Sequence, residues 1–211
     1  MTVAGADRPG ERPRLLIVAG PNGSGKTTVT RQGLAHDWFN NCDYINPDDI
    51  ARDEFGDWND PANVLAAVKE GAARREACLR DGRSFAFETV FSGPDKVDFV
   101  RRGLAAGFFV RLFFVCTETP TINAARVARR VMQGGHEVPL RKIIDRWGRS
   151  ITNAAAVAAQ VDRLYLYDNS VEDRPAELVL RASRGEIVKR YAAEPGWAGL
   201  ITGELRDAAD P

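Results

Sequence analysis

Leu15-Leu16-Ile17-Val18-Ala19-Gly20-Pro21-Asn22-Gly23-Ser24-Gly25-Lys26-Thr27-Thr28 is an apolar run that breaks into glycines and then into a lysine and two threonines. It reads as a buried strand, a phosphate-binding loop and the start of a helix. Gly20, Gly23 and Gly25 let the backbone turn with its N–H groups pointing inward at an anion, and the next helix adds the positive end of its dipole. Lys26 supplies a mobile cation for the outer phosphates, and Thr27 is placed to put its hydroxyl on Mg²⁺. The whole cradle is Gly20, Pro21, Asn22, Gly23, Ser24, Gly25, Lys26, Thr27 and Thr28. A glycine turn that binds nothing is the alternative, and the G-x-x-x-x-G-K-T spacing, with a strand before it and a helix after it, argues against that.

Around this junction the chain has the composition of an ordinary globular protein. Its 211 residues fit one α/β domain with short extra segments. The 29 basic and 29 acidic residues cancel, so no global field steers the chain to nucleic acid or to a membrane. Any anion-binding surface must be local, and the arginines between Arg126 and Arg149 are the place to look. Cys42, Cys78 and Cys116 have no metal-ligand spacing and fit a reducing, cytoplasmic setting as three buried small side chains. No run approaches the length that spans a membrane, and residues 1–13, rich in Gly, Pro and Arg, read as a disordered leader.

The next junction is Asp43-Tyr44-Ile45-Asn46-Pro47-Asp48-Asp49-Ile50, a short strand that turns directly into a helix. Asn46 serves as an N-cap, Pro47 as the first helical residue, and Asp48 and Asp49 complement the helix dipole. Asp48 also stands at the carboxyl end of a strand beside the phosphate loop, where open α/β sheets bind ligands, and there it can act as a general base. Both readings hold together. Asp60-Pro61 starts a long helix ending at Gly82, with Val64, Leu65, Val68, Ala72 and Leu79 as its apolar stripe. The strand Ser84 to Val90 is interrupted at its carboxyl end by Glu88 and Thr89, which are either substrate contacts or strand-end residues facing solvent. A helix from Ser92-Gly93-Pro94 to about Gly107 follows, then a central strand from Phe108 to Val115.

Thr119-Pro120 caps a helix carrying Arg126, Arg129 and Arg130. After Gly134-Gly135-His136-Glu137-Val138-Pro139, a further helix runs from about Leu140 to Gln160 with Arg146, Arg149 and Asn153 on one stripe. This unit, about 119–160, reads as a lid whose arginines swing over a triphosphate, or else as two solvated helix faces. Leu164 to Asp168 is a fifth strand; Asp168-Asn169-Ser170 reads as a turn or as part of a base pocket rather than a metal ligand. Glu177 to Ala182 and Glu186 to Tyr191 alternate like an edge hairpin, and residues 203–211 form a polar tail after a single domain over 14–202.

Five strands with these junction residues make the sequence similar to the zeta-toxin-type P-loop kinases. The resemblance covers about residues 14–170 and rests on Gly20 to Thr28, Ile45-Asn46-Pro47-Asp48-Asp49, Phe87-Glu88-Thr89 and the Gly134 to Pro139 turn. It implies a three-layer, nucleotide-kinase-like α/β fold on a five-stranded, mainly parallel sheet, with ATP and Mg²⁺ on the phosphate loop and a nucleotide sugar in the facing cleft. Zeta toxins phosphorylate the 3′-hydroxyl of the amino sugar in UDP-N-acetylglucosamine. Carried over, Lys26 and Thr27 hold phosphate and metal and Asp48 deprotonates the sugar hydroxyl. Glu88, with Thr89 and Asp49, orients the substrate, while Arg130 and Arg146 clamp the phosphates. Arg126, His136 and Arg149 are further lid candidates. The lid turn resembles the chromosomal, solitary branch of the family, and a small helical antitoxin is a possible partner by the same resemblance.

Two other readings stay open. One is a kinase for a different hydroxyl, on another nucleotide sugar, a dinucleotide cofactor or a nucleic-acid end, of which the balanced charge argues against the nucleic acid alone. The other is a nucleotide-dependent switch or ATPase without a small-molecule acceptor.

Overall fold

The computed structural model describes residues 12–33, 39–56, 60–133 and 138–207. Strand β1 (Arg14–Ala19) is apolar on both faces because it is central: its last five residues are buried, β3 (Phe85–Thr89) lies on one side and β4 (Phe109–Cys116) on the other, all parallel. Beyond β3 lies the short edge strand β2 (Asp43–Ile45), and beyond β4 lies β5 (Arg163–Asp168). The sheet does not stop there. β6 (Glu177–Ser183) and β7 (Glu186–Arg190) join the same sheet antiparallel, and β8 (Arg206–Asp207) pairs parallel to β7. The order β2-β3-β1-β4-β5-β6-β7-β8 thus has eight strands: the five expected, the edge hairpin β6–β7 added beside β5, and β8, which draws part of the expected tail into the sheet.

Helices cover the two faces unequally. α3 (Pro61–Asp81), α4 (Pro94–Ala105), α6 (Leu140–Ala158) and the short α7 (Gly199–Thr202) contribute to one large apolar cluster; α1 (Lys26–Gly33), with Phe39, covers the smaller cluster opposite. α5 (Pro120–Met132) packs on α6. The stripe expected on α3 is displaced: Leu65 and Val68 are 56% and 47% exposed, whereas Ala67, Gly71 and Cys78 are buried. The reason is close approach. A Cβ on Gly71 would stand 3.3 Å from Pro47 and 3.6 Å from Ile50, so the buried face of α3 must be made of small residues where α2 (Pro47–Ile50) crosses it. The helix boundaries themselves follow local chemistry. Asp60 accepts the Ala62 N–H at its start, and Gly82, at φ 65°, closes its end.

At the amino ends of the strands, away from the phosphate loop, the buried carboxylate of Asp162 gathers the fold. It accepts from Arg12 at 2.8 Å and from the Val110 N–H at 3.0 Å, and Arg184 approaches to 3.3 Å. Arg12 and Pro13, expected to belong to the leader, are therefore part of the packed domain; the leader's residues 1–11 lie outside the described residues. Burial alone would raise the Asp162 pKa, but the Arg12 and Val110 hydrogen bonds outweigh it and hold the carboxyl below its ordinary range. A depressed carboxyl stabilises the fold above its unfolded-state pKa, and that stability is lost as pH falls through the folded value. Asp162→Asn is expected to lower stability by about 2 kcal/mol near neutral pH, discounted because Arg12 and Arg184 face solvent. Denaturant titration at neutral and acid pH checks it. The deficit of the variant should shrink as the wild-type carboxyl is protonated, and a constant deficit would contradict the account.

Candidate active site

The phosphate loop takes the shape its glycines permit. Gly20 has φ 148°, and a Cβ there would fall 2.0 Å from the Val115 carbonyl oxygen. Gly25 has φ 92°, and a Cβ would fall 2.2 Å from Asn169 Nδ2. Asn169 explains the second contact, since its amide donates to the Ser24 carbonyl at 2.8 Å and supports the loop from beneath. On the other flank, Asn123 of α5 donates to the Asn22 carbonyl at 2.6 Å, and its own carbonyl oxygen accepts from Thr117. Arg146 of α6 donates to Asn22 Oδ1 at 3.1 Å. Both helices of the expected lid are thereby tied to one loop residue.

Those ties limit what can swing. Ile151, Ala154, Ala155, Val157 and Ala158 of α6 are core residues, so the helical pair borders the loop through Arg126, Arg130 and Arg146 rather than as a free flap over 119–160. Arg149 lies exposed, with its Nε donating to the Asp145 carbonyl. Asn153 faces elsewhere: its amide donates to the carbonyls of Phe91 and Gly93 and fixes the turn after β3. His136 lies outside the described residues.

Lys26, Thr27, Gly23 and Gly25 line a cavity of about 390 Å³ together with Arg126 and Arg130. A neighbouring cavity of about 260 Å³ shares Gly25 and Arg126 and continues past Thr28 to Asn169 and Arg174. Guanidiniums and loop N–H groups, with a helix N-terminus behind them, are the chemistry that accepts an anion. Among the described residues, Arg126 Nη1 is buried without a hydrogen-bond partner, as a donor awaiting an acceptor would be. The Lys26 ammonium donates to the Pro21 carbonyl at 2.9 Å across its own loop. Its pKa is lowered to about 8, by burial first and by Arg130 in addition, against the opposing attraction of Glu88.

Glu88 stands where β3 ends beside β1, its backbone paired with Val18. Its Oε2 accepts from Thr27 Oγ1 at 3.1 Å and its Oε1 accepts from Tyr44 OH at 2.9 Å. Thr89, its neighbour, uses its hydroxyl to accept the Phe91 N–H at 3.2 Å, and its carbonyl accepts the Gly20 N–H. At the β2–α2 junction, Asn46 accepts the Asp48 N–H at 3.0 Å, so the N-cap is as expected. Asp49 is engaged by Arg52 at 2.9 Å. Asp48 is exposed, and its carboxylate has no hydrogen bond among the described residues. Both aspartates act electrostatically on Tyr44, whose phenol burial, Glu88 and then Asp49 and Asp48 all push upward in pKa. Thr27 and Glu88 thus meet in one crevice, and Tyr44 links them to the strand that leads to Asp48.

The oxygen-only donors at this crevice, a threonine hydroxyl beside a carboxylate, suit Mg²⁺, which keeps most of its waters and takes one or two protein ligands with substrate phosphates. Among the described residues no group of three or more His, Cys, Asp or Glu could hold a metal by itself. Asp168 is not part of this set: its carboxylate accepts from Ser170 and, at 2.9 Å, from the Trp197 indole, which closes a turn. A further cavity of about 390 Å³ runs along β2, lined by Tyr44 and by charged groups that are paired: Arg74–Glu54, Arg83–Asp43, and Asp49 and Asp53 with Arg52. Tyr44 and Asn123 are the site residues that sequence reading did not single out, whereas Asn169 falls in the segment read as a turn or part of a base pocket and lines the cavity beside Gly25. Of the two, only Tyr44 carried a signal, as a residue of the short strand leading to Asp48.

A family model described as Zeta toxin matches residues 2–185. No curated protein matches the chain. Among solved structures, the complex of AvrRxo1-ORF1 and AvrRxo1-ORF2 with ATP contains a chain that aligns at TM-score 0.64 and 18% identity over 96% of this chain and 67% of that one. The same complex with sulphate ions aligns at TM-score 0.63 and 19% identity, again over 96% and 67%. The chromosomal PezAT toxin–antitoxin system of Streptococcus pneumoniae aligns at TM-score 0.57 and 18% identity over 79% of this chain and 70% of that one. The chain spans about two thirds of the length of the AvrRxo1 chains it matches. At these identities the likeness is one of fold. Among the described residues no helix is long and apolar enough to cross a membrane.

Proposed function

Since the chain belongs to the zeta toxin family, we propose that it is a kinase transferring the γ-phosphoryl group of ATP to a hydroxyl of a nucleotide sugar of the UDP-N-acetylglucosamine class. The observation that carries this reading is the chain of contacts that runs from the phosphate loop through Thr27, Glu88 and Tyr44 to the strand ending at Asp48, whose exposed carboxylate has no hydrogen bond among the described residues. In such a transfer the protein's work is positioning and charge stabilisation. The loop N–H groups and Lys26 hold the β- and γ-phosphates, and Arg130 and Arg126 flank them. Arg146, parked on Asn22, is within reach of the same loop. Asp48 accepts the proton of the attacking hydroxyl, whose oxygen displaces ADP from phosphorus in line. Mg²⁺, held through Thr27 beside Glu88, supplies neutralisation of the phosphate charge. The AvrRxo1 complex with ATP and the PezAT pair support, by fold, a nucleotide site and an antitoxin partner.

The fate of labelled γ-phosphate tests the reaction type. A kinase moves the label to UDP-N-acetylglucosamine, whereas a switch or ATPase releases it as inorganic phosphate at the same rate with or without the sugar.

Lys26 gives a second expectation. A polyanion binds the charged ammonium, so affinity is full below the free protein's value of about 8 and falls as pH rises through it. ATP affinity is expected to weaken about tenfold by pH 9, with proton uptake on binding seen calorimetrically. Lys26→Arg should flatten that slope, because a guanidinium stays charged. An affinity in the unaltered protein that is level to pH 9 would contradict the assignment of Lys26.

A further inference from the structure

The two oxygens of Glu88 are taken from opposite sides. Thr27 of α1 donates to one and Tyr44 of β2 to the other, at 3.1 and 2.9 Å. A hydroxyl has one proton and two lone pairs. While the Thr27 proton is directed at Glu88, the lone pairs of Oγ1 are turned outward, the orientation in which the hydroxyl serves a cation. Glu88 can impose that orientation only if its own carboxylate is held still, and it is the half-buried penultimate residue of β3, one position before the strand gives way to a loop. Tyr44 supplies the hold from a different strand.

We propose that Tyr44 is a positioning residue: its phenol fixes Glu88 against the Thr27 hydroxyl and thereby sets the affinity for the divalent cation that accompanies the nucleotide. This rests on the nucleotide-binding reading above and adds a residue to it. Tyr44 is half-buried, and its phenol stays a donor throughout the working pH range because burial and the Glu88 charge both oppose its ionisation. The contact spans 44 positions in the sequence, so it fastens the strand leading to Asp48 to the strand beside the phosphate loop. A tyrosine hydroxyl that merely needs a partner when buried would produce the same picture, and the two roles separate in the cation dependence.

The experiment compares ATP affinity in excess Mg²⁺ with ATP affinity in chelator, by calorimetry, for the unaltered protein and for Tyr44→Phe. The ratio of the two affinities is expected to fall roughly tenfold in the variant, the scale on which outer partners of metal ligands act, while affinity in chelator stays unchanged. Glu88→Gln should lose at least as much, and Tyr44→Phe added to it should cost nothing further, because both act through one carboxylate. A ratio in Tyr44→Phe equal to that of the unaltered protein overturns the proposal. So does an equal loss with and without Mg²⁺, and so do additive effects in the double variant. Absence of any ATP binding in the unaltered protein overturns instead the reading on which it rests, and with it the proposal. ATP binding with no transfer to a sugar leaves the cation ratio readable and bears only on the acceptor.

Discussion

Asp48→Asn is expected to lower phosphoryl transfer by about 10²–10⁴-fold, the usual contribution of a positioned base. ATP affinity should stay within about twofold, since an interaction used only in the transition state leaves ground-state binding alone. The structure makes the substitution a clean one. The Asp48 N–H, not its carboxylate, is what Asn46 caps, so the helix start survives the change. Its neighbour Asp49 is engaged by Arg52 and is a poor substitute base in that state. Asp49→Asn is accordingly the control, with a much smaller effect on the rate. Steady-state turnover with the acceptor, beside calorimetric ATP binding, separates the two aspartates. Equal rates for Asp48→Asn and the unaltered protein would remove the base from the mechanism.

Gly25→Ala has the opposite signature. The residue's φ of 92° is one that a side chain rarely adopts, and a methyl group would lie 2.2 Å from Asn169 Nδ2. Backbone strain of about 1–3 kcal/mol combines with loss of the Asn169 hydrogen bond to Ser24, worth about 0.5–1.5 kcal/mol. The sum, roughly 1.5–4.5 kcal/mol, corresponds to an ATP affinity lower by about 10- to 2,000-fold if the strain is relieved by moving the loop. Global stability should fall by less, because the core strands are not touched. Calorimetric affinity and a denaturant titration of the same variant check both halves. An ATP affinity that is unchanged would mean that the loop does not hold the phosphates.

How much of this could be read from the chain depends on how local each feature is. The phosphate loop is legible because Gly20, Gly23, Gly25, Lys26 and Thr27 form their chemistry within a few residues, and the β2–α2 junction is legible for the same reason: Asn46, Pro47 and Asp48 make a helix start in one turn. The width of the sheet is not, because β8 is two residues long and declares itself only by pairing with Glu186 and Ile187. The apolar stripe of α3 misleads because hydrophobicity alone favours Leu65 and Val68, whereas the close crossing of α2 selects Ala67 and Gly71. Arg146 illustrates a third limit. Its helical position is evident from spacing, but its contact is with Asn22, 124 residues away. Tyr44, Asn123 and Asn169 act likewise over 44, 101 and 145 positions.

These long contacts have a common purpose. Each ends on the phosphate loop or on the carboxylate beside it, so the loop is held by α5, by α6 and by the turn after β5, while Glu88 is held from β2. A site fixed from several elements is organised before its ligand arrives, which lowers the cost of ordering it during the reaction. Asp48 is left exposed and without a partner among the described residues, the state required of a base that must meet a hydroxyl.

The most direct test is the mass of UDP-N-acetylglucosamine after incubation with the protein, ATP and Mg²⁺. The account predicts a sugar nucleotide heavier by one phosphoryl group, formed with stoichiometric ADP and at least about 100-fold more slowly with Asp48→Asn. ATP consumed while the sugar nucleotide keeps its original mass would contradict it.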